Sequence, residues 1–347
     1  MRGKGINFDT GFADAFAREA GWSTREPFDP TVVEREMRII REDLHCTAVR
    51  ITGGAPERLK VAATHAAAAG LEVWLSPFTC DITADELLAV IADCAEHGER
   101  LRREGADVVL VTGSEISLFT DGFLPGDTFR DRMPLLARPE SLRQALPTLP
   151  ARVNAFLAKA VAMVRERFGG PVTYSSIPME QVDWTPFDII ATDAGYRSAT
   201  TAPTYRDTVR ALVAQGRAQG KPVAVNEFGC GTYRGAADMG DRSDSIVEWG
   251  PHGGPARLTG DHVRDEQEQA AYLREVLAIL DEEGVDNAFW YTFARYDLPH
   301  RDNPSEDFDL ASLGVVKVLE AGHGTTYSDM PWEPKAAFAA LADCYRA

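Results

Sequence analysis

Five times along this chain a run with helical spacing stops at glycine, and a short apolar run follows within a few residues. The glycines are Gly70, Gly105, Gly169-Gly170, Gly220 and Gly284. Glycine suits the left-handed residue that follows the last turn of a helix. A chain that repeats this junction returns from helix to strand each time by a short connection. The opposite connections, from strand to helix, are long after the fourth, seventh and eighth strands. They span residues Ile116 to Thr148, Phe228 to Asp261 and Arg295 to Gly324. Length confined to one kind of connection places all the long loops on one face.

The apolar runs read as eight strands. They start at Gly5, Ala48, Leu71, Asp107, Val172, Phe187, Val223 and Asn287. Runs such as Val108-Val109-Leu110-Val111 and Val223-Ala224-Val225 are apolar without alternation, as in parallel strands covered on both faces. Helix signals lie between them. Asp29-Pro30 offers a cap residue with proline at the first helical position, and Thr83 with Glu86 forms a capping box. Trp332-Glu333-Pro334 is read as the opening of a last helix. Strands alternating with helices, with long loops only at the strands' carboxyl ends, predict one (β/α)8 barrel domain over residues 1–347, an α/β fold whose site lies on that face. A doubly wound open sheet is the alternative. The first strand lacks the Gly-x-Gly-x-x-Gly turn that such a sheet uses for phosphate.

Charge and cysteine usage narrow the partners. The formal net charge of −17 argues against nucleic acid, which requires a basic face. No apolar run has the length of a bilayer span. The five cysteines form no Cys-x-x-Cys pair, so neither a disulfide framework nor a zinc ribbon is expected. The first strand begins too early to leave room for a signal peptide. These features predict a cytoplasmic protein with reduced thiols, without membrane or nucleic-acid partners.

Two strands end in a glutamate. The seventh runs into Asn226-Glu227-Phe228-Gly229 and the fourth into Gly113-Ser114-Glu115. A carboxylate at a buried strand end costs several kcal/mol, roughly, to desolvate, so packing does not account for it. Two carboxylates facing one cleft suit glycoside hydrolysis, one as proton donor and one as nucleophile. The plainer alternatives are a helix-capping carboxylate at Glu115 and a structural ion pair between Glu227 and Arg50.

With these residues in place, the chain resembles the retaining glycosidases of the large barrel clan that includes the family 5 cellulases and mannanases. The resemblance implies Glu115 as acid/base and Glu227 as nucleophile. It implies that Arg50, ending strand two, stands beside the nucleophile, and that Tyr196, after strand six, donates a hydrogen bond to it. It also implies Trp290 as an aromatic floor under the sugar. Ser114 departs from the pattern, where an asparagine before the acid/base reaches the sugar's 2-hydroxyl. Trp74, Asp9, Asn226, Asp193 and Tyr233 complete the expected substrate contacts, with packing the alternative for Trp74 and turn capping for the aspartates. The expected partner is a small-molecule or oligosaccharide substrate, and no metal or organic cofactor is implied. A looser similarity to proteins described as abortive-infection proteins names no chemistry.

Other barrel chemistries fit less well. None of the six lysines sits at the carboxyl end of a strand, where a Schiff base would form. The seven histidines show no His-x-His or His-Glu-x-x-His spacing for a metal. Of these, His252, His262 and His300 fall in loops of the active face. Two readings from other classes stay open: a binding or defence protein on a glycosidase scaffold, and an acid/base enzyme acting on a non-sugar metabolite.

Overall fold

The computed structural model describes residues 1–251 and 253–346; His252 lies outside the described residues. Eight parallel strands form one sheet: β1 (Gly3–Asp9), β2 (Ala48–Gly53), β3 (Glu72–Pro77), β4 (Val108–Ser114), β5 (Val172–Ser175), β6 (Ile190–Thr192), β7 (Val223–Phe228) and β8 (Asn287–Trp290). The hydrogen-bonded order is β5-β4-β3-β2-β1-β8-β7-β6. The two ends meet at a bridge between Ser176 and Thr192. There the Thr173 hydroxyl donates to the Ile189 carbonyl at 2.9 Å, and the Ser176 hydroxyl to that of Ala191 at 2.7 Å. Side-chain hydroxyls thus take over where the backbone ladder thins, and the sheet is a (β/α)8 barrel.

Seven helices surround it: α1 (Pro30–Glu42), α2 (Pro56–Ala68), α3 (Ala84–Arg103), α4 (Leu149–Arg165), α5 (Tyr205–Gln219), α6 (Glu266–Glu283) and α7 (Ala336–Arg346). The caps follow the sequence signals. The Asp29 side chain accepts from the N–H of Thr31, and Thr83 with Glu86 closes a full capping box. Gly70, Gly105, Gly220 and Gly284 take left-handed backbone at φ 75, 100, 65 and 90°. Gly169 and Gly170 do not, so that junction obeys a different rule.

Two further departures concern the connections. Between β5 and β6 there is no α-helix, only a 3-10 turn, Pro178–Glu180. Pro178 and Pro186 fall in this short segment and limit helix formation. Trp332–Pro334 does not open the last helix. It pairs antiparallel with Val316–Val318, and α7 begins only at Ala336. The loop after β7 is more ordered than its glycine content suggests, with an antiparallel ribbon of Val247–Trp249 and Pro255–Leu258.

Inside the barrel the amino-end half is filled by Ala48, Trp74, Val109, Val111, Ile189, Ala191, Ala224 and Phe289. The rings of Trp74 and Phe289 lie 4.8 Å apart. This plug closes the bottom, so chemistry is confined to the carboxyl end. At that end buried ion pairs join the loops. Arg132 pairs with Asp81 and Asp121, and Arg264 reaches Asp307 at 2.7 Å and Asp309 at 2.9 Å. Phe12, Phe78, Phe119 and Phe129 cluster there from three different loops. Among the described residues no helix is long and apolar enough to cross a membrane, and the five cysteines are unpaired.

Candidate active site

Above the apolar plug, the inward side chains turn polar. Arg50 is fully buried on β2 and organises the layer. Its Nε donates to the Ser76 hydroxyl at 3.2 Å, and Nη2 to the Ser114 hydroxyl at 2.9 Å. Nη1 donates to Asn7 Oδ1 at 3.3 Å and to Glu227 Oε1 at 2.8 Å. The Ser114 hydroxyl in turn donates to Asp193 Oδ2 at 2.6 Å, and Asp193 Oδ1 lies 3.3 Å from Arg50 Nη1. A buried guanidinium is tolerable only when paired and hydrogen-bonded. Here two carboxylates balance it, and strands β1 to β4 and β7, together with Asp193 just past β6, place side chains in the network.

Glu227 ends β7 with its carboxyl nearly enclosed. Oε1 is taken by Arg50 and Oε2 by the Tyr196 hydroxyl at 3.1 Å. Tyr196 reaches it because the preceding Gly195 lies directly on β7. A Cβ at Gly195 would stand 2.4 Å from the Glu227 carbonyl oxygen. Any larger residue would lift the Asp193–Tyr196 segment off the strand.

Glu115 follows a register shift in β4, between Val111 and Ser114. Its backbone is left-handed, φ 44° and ψ 44°. That conformation is costly for a residue with a Cβ and persists only where neighbours enforce it. Among the described residues nothing donates a hydrogen bond to its carboxyl. Burial holds the Glu115 carboxyl well above the usual carboxylate range, followed by the charges of Asp193, Glu227 and Glu180, with Arg50 opposing. Glu227 is also raised, to about 7, by burial first and Asp193 second, against the pull of Arg50 and the Tyr196 hydrogen bond. Arg50 and Tyr196 both reach Glu227, and both favour its ionised form. Burial and Asp193 outweigh them.

The structure relocates several residues that the sequence assigned to substrate. Trp290 is completely buried on the helix-facing side of β8, with its ring against Phe228 and Tyr272 and its N–H on the Leu313 carbonyl at 3.0 Å. Successive strand residues point to opposite faces. Phe289 therefore fills the barrel, Trp290 faces the helices, and Tyr291 is the aromatic residue next to the site, close enough to feel Glu227, Asp9 and Arg295. Trp74 belongs to the interior plug, its N–H on Glu72 at 2.6 Å. Asn226 is fully buried and donates to the Ser175 hydroxyl, beneath Glu227. Asp193 is also buried, as a partner of Arg50. Tyr233 packs into the outer core against His262. None of these five lines the cleft as a substrate contact.

Asp9 is half-buried, accepting from the Gly11 N–H at 2.8 Å and the Thr24 hydroxyl. Burial raises its carboxyl, and Asp297 adds to the rise. Asp297 is gripped by Arg295 through two bonds of 2.8 and 2.6 Å, and it lines a cavity of about 280 Å3 with Trp22, Tyr296 and Phe308. A larger cavity of about 450 Å3 lies outside the barrel, beside β6 and α5, where the missing helix leaves a gap. It touches neither Glu115 nor Glu227, so size alone does not mark the site. Sequence reasoning missed Tyr291, Arg295 and the buried pair Tyr174 and Glu180. Alternation puts Tyr291 on the same face as Phe289 but does not say which face that is.

No protein-family model matches this sequence, and no curated protein matches it. Solved structures do match in shape. A GH113 β-1,4-mannanase is similar over 100% of both chains, with a TM-score of 0.59 at 15% identity. A GH113 β-mannanase from Alicyclobacillus acidocaldarius covers 99% of this chain and 97% of its own, with a TM-score of 0.58 at 17% identity. A β-glucuronidase from Bacteroides uniformis is similar to 100% of this chain across 35% of its own length, with a TM-score of 0.56 at 14% identity. The likeness is one of fold, a (β/α)8 barrel shared at low sequence identity.

Proposed function

We propose that the protein is a retaining glycoside hydrolase, with Glu227 as nucleophile and Glu115 as acid/base. One observation carries the reading: the two strand-end glutamates differ in the hydrogen bonds they receive. Both oxygens of Glu227 are held by donors, Arg50 and Tyr196, which favour its anion. Glu115 accepts no hydrogen bond from the described residues and is pushed up by burial and three acidic neighbours. Carboxyls whose environments separate their proton affinities are suited to act as acid and as nucleophile. Glu115 protonates the leaving oxygen while Glu227 attacks the anomeric carbon, and Glu115 then deprotonates the water that releases the sugar. The solved structures of similar shape, named as mannanases and a glucuronidase, support a glycoside or oligosaccharide as substrate. Ser114 spends its hydroxyl on Asp193 and Arg50. The sugar's 2-hydroxyl is therefore not read by residue 114.

The test is a panel of aryl glycosides, followed by mass analysis of the peptide carrying Glu227 after treatment with matching 2-deoxy-2-fluoroglycosides. Turnover on at least one sugar and a covalent adduct on Glu227 are expected. No turnover and no adduct across the panel would favour a binding or defence protein on this scaffold, or a non-sugar substrate.

A further inference from the structure

Glu180 is completely buried on the turn after β5 and takes no part in the reaction as described above. Its carboxylate accepts from three donors. The Tyr174 hydroxyl lies 2.8 Å from both oxygens, the Ser117 N–H donates to Oε1 at 3.0 Å, and the Ile177 N–H to Oε2 at 3.3 Å. None of these donors is a cation. A fully buried carboxylate without a cation is costly, and core packing would be served as well by an apolar residue. What it touches accounts for its presence. Ser117 is two residues beyond Glu115, and the Tyr174 hydroxyl also accepts the Ile116 N–H at 2.9 Å. The Glu115 N–H itself donates to the Ser175 carbonyl at 3.0 Å. Three consecutive N–H groups, from residues 115 to 117, are thus fixed by β5 and the turn behind it. They bracket the left-handed residue that carries the candidate acid.

We propose that Tyr174 and Glu180 form a positioning pair for Glu115, acting through the backbone N–H groups of Ile116 and Ser117. The assignment rests on Glu115 being the acid/base. The pair holds the strained turn that aims Glu115 into the cleft. Its charge also acts directly, because Glu180 is one of the three carboxylates that oppose ionisation of Glu115. The other groups facing Glu115 are Asp193 just past β6, Glu227 from β7, Arg50 from β2 and Tyr174 from β5. Helix α4, which packs on the turn, sends Arg152 to the Gly122 and Phe123 carbonyls and Asn154 to that of Gln181. Neither side chain neutralises Glu180.

Two near-isosteric variants separate the backbone effect from the charge effect. Tyr174→Phe removes the acceptor of the Ile116 N–H and leaves the ring. Glu180→Gln removes the charge and keeps the shape. Amide exchange at Ile116 and the carboxyl-carbon titration of Glu115 are read by NMR, the latter assigned by its loss in Glu115→Gln. In Tyr174→Phe the Ile116 amide is expected to exchange roughly tenfold faster or more, as for a buried donor left without its partner. In Glu180→Gln the Glu115 midpoint is expected to move to lower pH, since a neighbouring negative charge has gone. In the same variant the alkaline limb of kcat/KM should move with it on glycosides with poor leaving groups. An unchanged Ile116 amide in Tyr174→Phe, or an unchanged Glu115 midpoint in Glu180→Gln, overturns the proposal. If both NMR effects appear and no glycoside is turned over, the positioning pair stands and the glycosidase reading falls.

Discussion

Removing one oxygen atom, the Tyr196 hydroxyl, tests the electrostatic argument for Glu227 most directly. Tyr196→Phe deletes a 3.1 Å hydrogen bond to Oε2 and leaves the half-buried ring in place. A hydrogen bond to a charged group contributes about 1.5–3 kcal/mol. That bond stabilises only the ionised carboxylate, so its loss raises the Glu227 pKa from about 7 by roughly 1–2 units. At pH 7 the ionised fraction should then fall from about half to about a tenth or less. The assay is kcat/KM from pH 5 to 10 on an aryl glycoside with a good leaving group. The alkaline limb set by Glu115 is common to both enzymes and cancels in their ratio. The expected ratio of native to variant is about 10 to 100 near pH 6 and shrinks steadily as the pH rises. A loss that is the same at every pH would refute the reasoning. Tyr196 would then serve the transition state or the sugar and not the ionisation of Glu227.

Further outcomes follow from the same structure. Glu115→Ala should lose far more activity on glycosides with poor leaving groups than on activated ones, and azide should restore part of the rate; equal losses with no rescue would remove Glu115 as acid/base. Glu227 and Glu180 both titrate near 7 when folded and near 4.5 when exposed, so folding favours their protonated forms. Their stabilising effect is complete below about pH 4.5 and is lost as the pH rises through 7, on the order of 3 kcal/mol each. Tm should fall between pH 5 and 8, and Glu180→Gln should flatten that fall; a Tm that rises over this range would contradict the burial argument. Trp290→Ala should cost about 3–5 kcal/mol in urea unfolding with KM nearly unchanged, because the ring is core; a large rise in KM at unchanged stability would return Trp290 to the cleft.

Much of the architecture was legible before any coordinates. Glycine stops, capping residues and unbroken apolar runs are local signals, and they located eight strands and most of the helices. Two glutamates at strand ends stood out because a charge at a buried position needs a reason. Local signals failed where a residue's direction depends on its neighbours. The run Asn287-Ala288-Phe289-Trp290-Tyr291 has apolar or aromatic residues on both faces, so its pattern does not say which ring faces the cleft. Pairing with β1 and β7 decided that, turning Phe289 inward and Trp290 out. Asp193 and Asn226 read as substrate contacts for the same reason, and only the barrel's interior showed that Arg50 and Ser175 hold them. Glu180 carried no signal at all. Its meaning depends on meeting Ser117, 63 residues earlier, across two adjacent strands. Sequence determined the periodicity and the stops, which are properties of neighbours along the chain. Burial, pairing and the proton affinities of Glu115 and Glu227 belong to groups distant in sequence, and only the closed barrel brought those groups within reach of one another.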